Sequence, residues 1–495
     1  MWRFISKRSA IRNSLLLLLV CLGSILAILL YAQKNIIAYN IEYLSVRFSS
    51  PSQAASEKKA VSIPVLLYHG IVDSEDGINI TKENFRNQMK AMKQAGYQTV
   101  GPEDLESFLK DEKELPDKSF VITFDDGRKD SFYPTDPILK GLEYSAVIFP
   151  IGSVVDKNKA HLTSSELKKL ITSGRWEIGS HGFDDHHDLQ AGPNGEKGHW
   201  LSHLDWLSEE NRLETNDEYE KRIDEDMIRS KMFFREKVGI DVFSFAFPYN
   251  DYGQLLNNNK DAKVIIDKYS RKNYRLVFSQ TNLQNGFVFN YPNTDPFMIK
   301  RIDVKPDWSE VDLMNQIEKG SAKSLPYSLR VTRWNGWTAT RDRFEIGENT
   351  MTMGSGENNT GTVAFLDGSL HWTDYLFDTN VDWKKGSNFS LLSRFQNDSN
   401  YLSCNFSNGS IRLEQKINDE TIILEQKKIS LPADKTNLDL AMKIEANSAS
   451  CGFNDQDLLF SNNIDGRLSH GGIGLKTWDP IIGNSEIIVK SISVK

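Results

Sequence analysis

Cysteine is scarce in this sequence, because Cys21, Cys404 and Cys451 are the only three among 495 residues. So few cysteines exclude a fold held together by a disulfide framework. Cys404 and Cys451 either bond to each other or stay unpaired in a β-rich region. An excess of basic residues is also missing, since 59 Lys and Arg stand against 67 Asp and Glu, a net charge of −8. Without a basic footprint the chain is not expected to bind nucleic acid, whereas a neutral glycan partner stays open.

Long apolar runs are absent except for one near the N-terminus. Residues 13–33 carry no charge, and their core, residues 15–30, is almost entirely apolar. This run is long enough to cross a bilayer, and basic residues precede it: Arg3, Lys7, Arg8 and Arg12. A cleaved signal peptide is the alternative, but its apolar region is usually shorter, and Leu30-Tyr31-Ala32 is a poor cleavage site. We therefore predict a cytoplasmic segment over 1–12, a single-pass anchor in the cell membrane over 13–33, and an extracytoplasmic remainder.

No internal repeat or low-complexity tract interrupts the rest of the chain, whose length predicts two or three domains. Residues 34–60 are interpreted as a stalk, because 48–56 are polar, small and without a period. From residue 61 apolar strands alternate with amphipathic helices such as 164–172, which predicts a mostly parallel sheet or barrel over 61–318. The predicted strands are 63–68, 119–124, 145–149, 176–179, 242–247 and 276–278.

The pattern changes after a predicted linker at residues 319–330. Short strands then follow one another over 331–495, separated by turns such as Asp367-Gly368 and Asn408-Gly409. Such spacing is typical of an antiparallel sandwich. The predicted fold is therefore an α/β domain followed by an all-β antiparallel sandwich, behind an N-terminal transmembrane helix.

Thr123-Phe124-Asp125-Asp126-Gly127 is the most informative segment of the sequence. It closes the apolar strand predicted at 119–124. Two adjacent carboxylates repel each other unless a cation or a proton lies between them. The pair therefore suggests that one carboxylate binds a metal while the other moves protons. An ordinary turn after a strand is the alternative interpretation.

A histidine cluster follows the strand predicted at 176–179. His181, His186 and His187 lie within seven residues. Imidazoles and one carboxylate make a site for zinc or a similar divalent ion, with positions left open for water and substrate. A solvated polar loop would show the same composition, but both this cluster and the Asp pair come where parallel strands end, which is where such folds build their sites.

Three further segments also end predicted strands. They contain His69, the Pro248-Tyr249 turn, and the pair Arg301 and Asp303. Each alone has a plain structural explanation. Together, the five segments resemble the polysaccharide deacetylases of carbohydrate esterase family 4, also called the NodB-homology domain, over roughly residues 61–318. The resemblance implies a distorted (β/α) barrel.

Within that family the sequence is most similar to the biofilm poly-N-acetylglucosamine deacetylases. Its histidines are spaced five apart, at 181 and 186, where most members have them four apart. The resemblance implies that Asp126, His181 and His186 bind one divalent ion, with zinc as the default and cobalt, nickel or iron also suited to the ligands. It implies that Asp125 is the general base that takes a proton from water.

The remaining implied roles concern the oxyanion and the general acid. The Pro248-Tyr249 turn would supply the Tyr249 N–H to the developing oxyanion. Most members carry the acid on a histidine near the end of the domain, but no histidine lies between His203 and His371. The biofilm type takes it from the first strand, which selects His69. Arg301 and Asp303 would support these groups or brace the sheet.

Two regions depart from the family pattern or lie outside it. The segment 190–240 carries His199 and His203, four apart on a predicted helix, which suggests a lid, a surface helix or a second metal site. The C-terminal region weakly resembles concanavalin-like jelly rolls, which often bind sugars. Core packing is the favoured interpretation of its four tryptophans considered for stacking: Trp334, Trp337, Trp372 and Trp478.

The expected function is a metal-dependent N-deacetylase that acts on N-acetylglucosamine units of an extracellular polysaccharide. The expected partners are that polysaccharide, the membrane and an exopolysaccharide synthesis or export complex. Deacetylation of peptidoglycan or another cell-wall glycan is one alternative. A non-catalytic glycan-binding matrix scaffold is another.

Overall fold

The computed structural model describes residues 23–24, 34, 36–47, 58–74, 76–281, 287–329, 336–340, 343–347, 350–454 and 456–495. The transmembrane helix predicted at 13–33 lies outside these ranges except for Gly23 and Ser24, and so does the stalk sequence 48–56. Among the helices of the described ranges, none combines the length and the apolar composition that a bilayer crossing requires. Residues 36–47, in the predicted stalk, form a helix (α1) that packs on the α/β domain.

The α/β domain is built on short parallel strands buried between helices. Its further helices are α2 Lys82–Gln94, α3 Pro102–Leu109, α4 Lys129–Phe132, α5 Asp136–Leu142, α6 Ser164–Thr172, α7 Asn216–Lys237, α8 Ala262–Asn273 and α9 Glu310–Gly320. Its parallel strands are β1 Val65–Tyr68, β4 Gln98–Thr99, β5 Ser119–Phe124, β6 Ala146–Ile148, β7 Trp176–Ile178, β12 Ser244–Ala246, β13 Leu276–Gln280 and β14 Ile299–Asp303.

These strands nearly close into a barrel. Their order is β12-β13-β14-β1-β5-β6-β7, with β4 added beside β5. A parallel bridge from Ser180 to Phe245 joins the two ends, since the Ser180 N–H donates to the Ser244 carbonyl at 2.9 Å. The predicted distorted barrel is confirmed. Continuous apolar runs such as 119–124 form these strands because both faces of the sheet are covered.

Three two-stranded sheets of the described residues lie outside the main parallel sheet. They are β2 Ile71–Val72 with β3 Ile80–Thr81, β8 Asp188–Gln190 with β9 Lys197–His199, and β10 Trp206–Leu207 with β11 Arg212–Leu213. The prediction of a helix through His199 and His203 is wrong. His199 ends β9, where it pairs with Asp188 of β8, and His203 follows in a turn.

The C-terminal region is an antiparallel two-sheet sandwich, as predicted. One sheet contains β15 Tyr327–Ser328, β17 Arg343–Ile346, β18 Met351–Gly354, β20 Tyr375–Lys385, β25 Leu438–Glu445, β26 Ser448–Phe453, β27 Gln456–Ser461 and β29 Glu486–Val494. The other contains β16 Trp337–Ala339, β19 Gly361–Leu366, β21 Asn388–Asn397, β22 Asn400–Ser407, β23 Ser410–Ile417, β24 Glu420–Lys428 and β28 Gly472–Trp478.

The two sheets are joined covalently. Cys404 on β22 is disulfide-bonded to Cys451 on β26, with a Cα–Cα distance of 6.1 Å. Of the two outcomes that the sequence left open, the structure shows the bonded one. Trp337 and Trp372 fill the interior, as expected, whereas Trp478 is 42% exposed at the end of β28. Trp334 lies outside the described residues.

The sandwich contacts the α/β domain at the edge where the parallel strands begin. The loop before β14 places Phe287 against Phe365 and Phe395 of the sandwich, with ring centroids 5.4 and 6.2 Å apart. Asn290 in the same loop pairs with Ile63, just before β1. Within the described ranges, the ring contacts between the two domains are made by this loop, through Phe287 and Tyr291.

Candidate functional site

The five sequence segments converge on the edge where the parallel strands end. Asp125 and Asp126 follow β5, His69 follows β1, and Arg301 lies near the end of β14. His181 follows the bridge that joins β7 to β12, and the Pro248-Tyr249 turn follows β12. Because all these strands are parallel and neighbouring, their carboxyl ends bring distant parts of the sequence together.

A tight turn after β5 separates the two carboxylates. Asp126 and Gly127 both adopt left-handed backbone conformations, with φ of 68° and 72°. A Cβ on Gly127 would lie 2.5 Å from Cβ of Pro150, so only glycine fits there. The turn directs the two neighbouring aspartates to different partners, which reduces the cost of placing two negative charges in adjacent residues.

Asp126 faces two imidazoles. Its Oδ1 lies 3.7 Å from Nε2 of His181 and 3.6 Å from Nε2 of His186. One ligand atom from each of the three residues falls within 4.8 Å of the others, and no other such group of His, Cys, Asp or Glu occurs in the described ranges. A carboxylate and two imidazoles with room for further ligands suit zinc and similar divalent ions.

The hydrogen bonding of His181 and the lowered pKa of His186 suit these two imidazoles to bind a metal. Nδ1 of His181 lies 2.8 Å from the Ala246 carbonyl, to which its N–H donates, so Nε2 keeps its lone pair toward Asp126. Burial and the neighbouring His181 lower the pKa of His186 to about 4. The His186 ring is thus suited to the neutral form that binds a metal.

Asp125 has a different partner, the fully buried Arg301. The guanidinium donates Nη1 to Oδ1 at 2.6 Å and Nη2 to Oδ2 at 2.9 Å, a bidentate pair. Burial alone would raise the pKa of Asp125, but Arg301, His181 and His69 outweigh burial and lower this pKa to about 2. The carboxylate is therefore ionised at physiological pH. The sequence did not specify this contact, because Arg301 and Asp125 lie 176 positions apart.

The other two residues from the first and last strands take separate positions. His69 is half-buried and near enough to lower the pKa of Asp125, and its carbonyl accepts a hydrogen bond from the Ser131 hydroxyl at 2.8 Å. Asp303 is paired with Lys305, whose Nζ lies 2.6 Å from its Oδ2. Arg301 thus joins the cluster directly, while Asp303 forms its own ion pair beside it.

Tyr249 presents an unused N–H at the rim. Its backbone is left-handed, with φ of 54°, and within the described residues its N–H donates to no carbonyl. Its ring lies over His186 with centroids 4.3 Å apart. The turn that Pro248 begins therefore places Tyr249 beside His186, one of the three candidate metal ligands.

A second histidine supports Tyr249 from the other side. The ring of His199 stacks on Tyr249 at 4.7 Å and 18°, which makes a row of three rings with His186. Nδ1 of His199 donates to the fully buried Asp251 at 2.7 Å, and the Ser202 hydroxyl donates to the same carboxylate at 2.5 Å. The sequence analysis missed this role, although His199 and Asp251, two residues after Tyr249, were visible in the sequence.

Comparisons with known proteins agree with this arrangement. Residues 112–264 match the polysaccharide deacetylase family. The matched region includes Asp125, Asp126, His181, His186 and Tyr249, and it excludes both β1, which precedes His69, and β14, which carries Arg301.

Three relatives illustrate the similarity. YxkH of Bacillus subtilis (strain 168), whose name assigns it to the polysaccharide deacetylases, is 35% identical over 127 residues, 26% of this chain and 44% of the relative. The poly-beta-1,6-N-acetyl-D-glucosamine N-deacetylase of Escherichia coli (strain K12) is 26% identical over 188 residues, 35% of this chain and 28% of the relative. The enzyme of that name from Staphylococcus aureus (strain MRSA252) is 23% identical over 239 residues, 46% of this chain and 69% of the relative. The chain thus spans less than half the length of the first two.

Asp126, His181 and His186, the residues of the candidate metal site, should be needed for zinc binding. Replacement of a metal ligand should weaken binding by more than the roughly 10- to 100-fold that loss of a supporting residue causes. We expect His181→Ala in the full chain to raise the zinc Kd beyond that range, measured by competition with a chelating dye. His203→Ala is the matched control and should leave the Kd unchanged. Equal zinc affinity of His181→Ala and the unmodified chain would contradict the assignment.

Loss of Arg301 should destabilise the fold through Asp125. Arg301→Met leaves a buried carboxylate without a partner, so the free energy of unfolding should fall by about 3–5 kcal/mol, measured by urea denaturation. Arg128→Met is the control, because its ion pair with Asp130 is partly exposed and should contribute about 0–1 kcal/mol. A loss no larger than in the control would contradict this role.

The effect of Arg301→Met on the free energy of unfolding should depend on pH. In the unmodified chain the pKa of Asp125 is lowered from 3.8 to about 2, so the stabilisation is present above about pH 4 and is lost as the pH falls toward 2. In Arg301→Met, burial acts without the guanidinium, which favours the protonated carboxyl. The stability difference between the two proteins should therefore shrink as the pH falls below 4.

Proposed function

We propose, from the premise that residues 112–264 belong to the polysaccharide deacetylase family, that this chain is a metal-dependent N-deacetylase. Its substrate would be an extracellular polysaccharide of the poly-β-1,6-N-acetylglucosamine type. The observation that carries the proposal is the placement of Asp126, His181 and His186 around one point, beside the Arg301-bound Asp125. The names of the Escherichia coli and Staphylococcus aureus relatives support the choice of polymer.

The residues divide the reaction among them. A divalent ion, which we take to be zinc, would act when bound as a Lewis acid that makes water nucleophilic near neutral pH. Asp125, kept ionised by Arg301, would orient the attacking water and accept its proton. The Tyr249 N–H would donate to the acetamide oxygen as it gains negative charge. The water oxygen bonds to the carbonyl carbon, the C–N bond breaks and acetate leaves.

The leaving nitrogen needs a proton, and His69 is the proposed donor. It directly follows β1, which is next to β5 in the sheet, and it is close enough to lower the pKa of Asp125. The acid and the base would therefore flank the same acetamide from neighbouring strands. The product is a primary amine, which makes the polymer cationic.

Location at the cell membrane, with the catalytic domain outside the cytoplasm, is part of the proposal. The basic residues before the uncharged run 13–33 favour this orientation. The Cys404–Cys451 disulfide also favours it, since disulfides persist in oxidising compartments. Assembly with an exopolysaccharide synthesis or export complex stays a prediction from the family resemblance.

Acetate release tests the function directly. The full chain, loaded with zinc, should release acetate from β-1,6-linked N-acetylglucosamine oligomers in an enzyme-coupled acetate assay. Asp125→Asn should release none while it keeps its zinc, since asparagine cannot accept the proton and Asp126, His181 and His186 are unchanged. Because the variant also loses the charge that pairs with Arg301, its folding should be checked by circular dichroism. If acetate is released from peptidoglycan fragments alone, the substrate is peptidoglycan and not the β-1,6-linked polymer proposed here. Release from neither substrate would favour a glycan-binding scaffold.

His69 and His199 should differ in their effects on turnover. His69→Ala should lower kcat by roughly 10²–10⁴-fold if it is the acid. His199→Ala removes a ring stack worth about 0.5–1.5 kcal/mol, so kcat should fall by only about 2- to 10-fold. The measurement is steady-state kinetics on the same oligomer.

Two further variants separate positioning from folding. His199→Phe keeps a ring against Tyr249 and should recover part of kcat, whereas His203→Ala should match the unmodified chain. The zinc Kd should be the same in all of them. An unchanged kcat in His69→Ala would remove His69 from the mechanism, and an unchanged kcat in His199→Ala would show that Tyr249 needs no support.

A further inference from the structure

Helix α1, residues 36–47, has one face packed against the α/β domain and an opposite, exposed face that is apolar. One face packs on the α/β domain through residues at i, i+3, i+4 and i+7: Tyr39, Glu42, Tyr43 and Val46. The other presents Ile37, Ile41 and Leu44 at i, i+4 and i+7, with exposed fractions of 58%, 63% and 45%. This spacing places the three aliphatic side chains in one stripe on the side of the helix away from the domain.

The inner face is held firmly. Glu42 accepts from Arg86 Nε at 2.5 Å and Nη2 at 2.9 Å, and Lys82 Nζ lies 2.9 Å from the same carboxylate. Val46 is fully buried, against Gly141 of α5. α1 is therefore a fixed part of the domain surface, and its outer stripe cannot be hidden by rotating the helix.

The chain before α1 indicates what covers the stripe. The uncharged run 13–33 ends only four residues before Ile37. At the maximal reach of roughly 3.6 Å per residue, Ile37 lies within about 15 Å of the end of that run. If the run is in a bilayer, the stripe is at its surface. An amphipathic helix in such a place lies flat, with its aliphatic face in the lipid.

A second copy of the chain is the other candidate occupant, and the observations favour it less. A specific protein interface buries about 1,200–2,000 Å² in total. The stripe offers three aliphatic side chains, extended only by Ile36 at one end. Such a narrow strip fits a continuous lipid surface better than a self-complementary interface.

We propose that the outer face of α1, formed by Ile37, Ile41 and Leu44, lies in the membrane surface and fixes the orientation of the catalytic domain on the bilayer. This proposal rests on the predicted anchor and not on the deacetylase activity.

The direction of α1 follows from its contacts with α5. The Tyr39 hydroxyl donates to Asp136, the first residue of α5, at 2.7 Å, while Arg47 Nη1 donates to Glu143, just past the end of α5, at 2.6 Å. The two helices therefore run side by side in the same direction, and the end of α1 nearest the predicted anchor lies beside the start of α5.

Site-specific quenching tests the contact. The full chain, with Cys21→Ser so that the introduced cysteine is the one labelled, is reconstituted into phosphatidylethanolamine–phosphatidylglycerol vesicles. A fluorophore on Ile41→Cys should be quenched at least about twofold by nitroxide-labelled lipid and shielded from aqueous iodide. Val264→Cys on α8 is the matched control, because Val264 is also apolar and 71% exposed. Its fluorophore should respond to iodide and not to the labelled lipid.

The remaining outcomes overturn the proposal. Equal iodide access at both positions, or failure of the chain to remain with the vesicles, would show that the stripe does not meet lipid. Shielding at position 41 without lipid quenching, together with disulfide cross-linking of two Ile41→Cys chains, would assign the face to a second copy. Adding Ile37→Ser and Leu44→Ser should restore iodide access at position 41, and persistent lipid quenching in that variant would also contradict the stripe as the contact.

Discussion

The buried ion pair between Arg301 and Asp125 is the contact on which the site depends. β1 lies between β14, which carries Arg301, and β5, which precedes Asp125. The pair therefore reaches across the end of β1, and His69 follows that strand. A buried carboxylate without a partner would become protonated or distort its surroundings, because desolvation disfavours the charge. The two charges thus hold three strand ends at one separation.

The same pair explains how two adjacent aspartates serve different purposes. Arg301 donates a hydrogen bond to each oxygen of Asp125, so the buried charge of that carboxylate is balanced by the guanidinium. The left-handed turn at Asp126 and Gly127 carries the next carboxylate outward to His181 and His186. Repulsion between the two carboxylates is relieved without a shared cation, because each one has a positive or metal-binding environment of its own.

Much of the fold was readable from the sequence, and the failures have a common cause. The strand at 119–124 appears with the predicted bounds, because a continuous apolar run ended by Asp-Asp-Gly leaves few alternatives. The helix predicted through His199 and His203 was wrong, because a four-residue spacing fits a helix as well as the end of a hairpin followed by a turn. The bidentate pairing of Arg301 and the support of Tyr249 by His199 depend on which strand ends become neighbours, and local patterns carry no information about that.

The placement of the other parts around the barrel leaves the site open to a polymer. The sandwich contacts the edge where the strands begin, through Phe287, and α1 lies along the side, on α2 and α5. In the part of the chain that the structure describes, Tyr249 at the edge that holds Asp126 is 44% exposed. A deep pocket would admit only a chain end, whereas an exposed rim of this kind admits internal sugar units. Under the proposed function, such a rim would suit action along a polysaccharide.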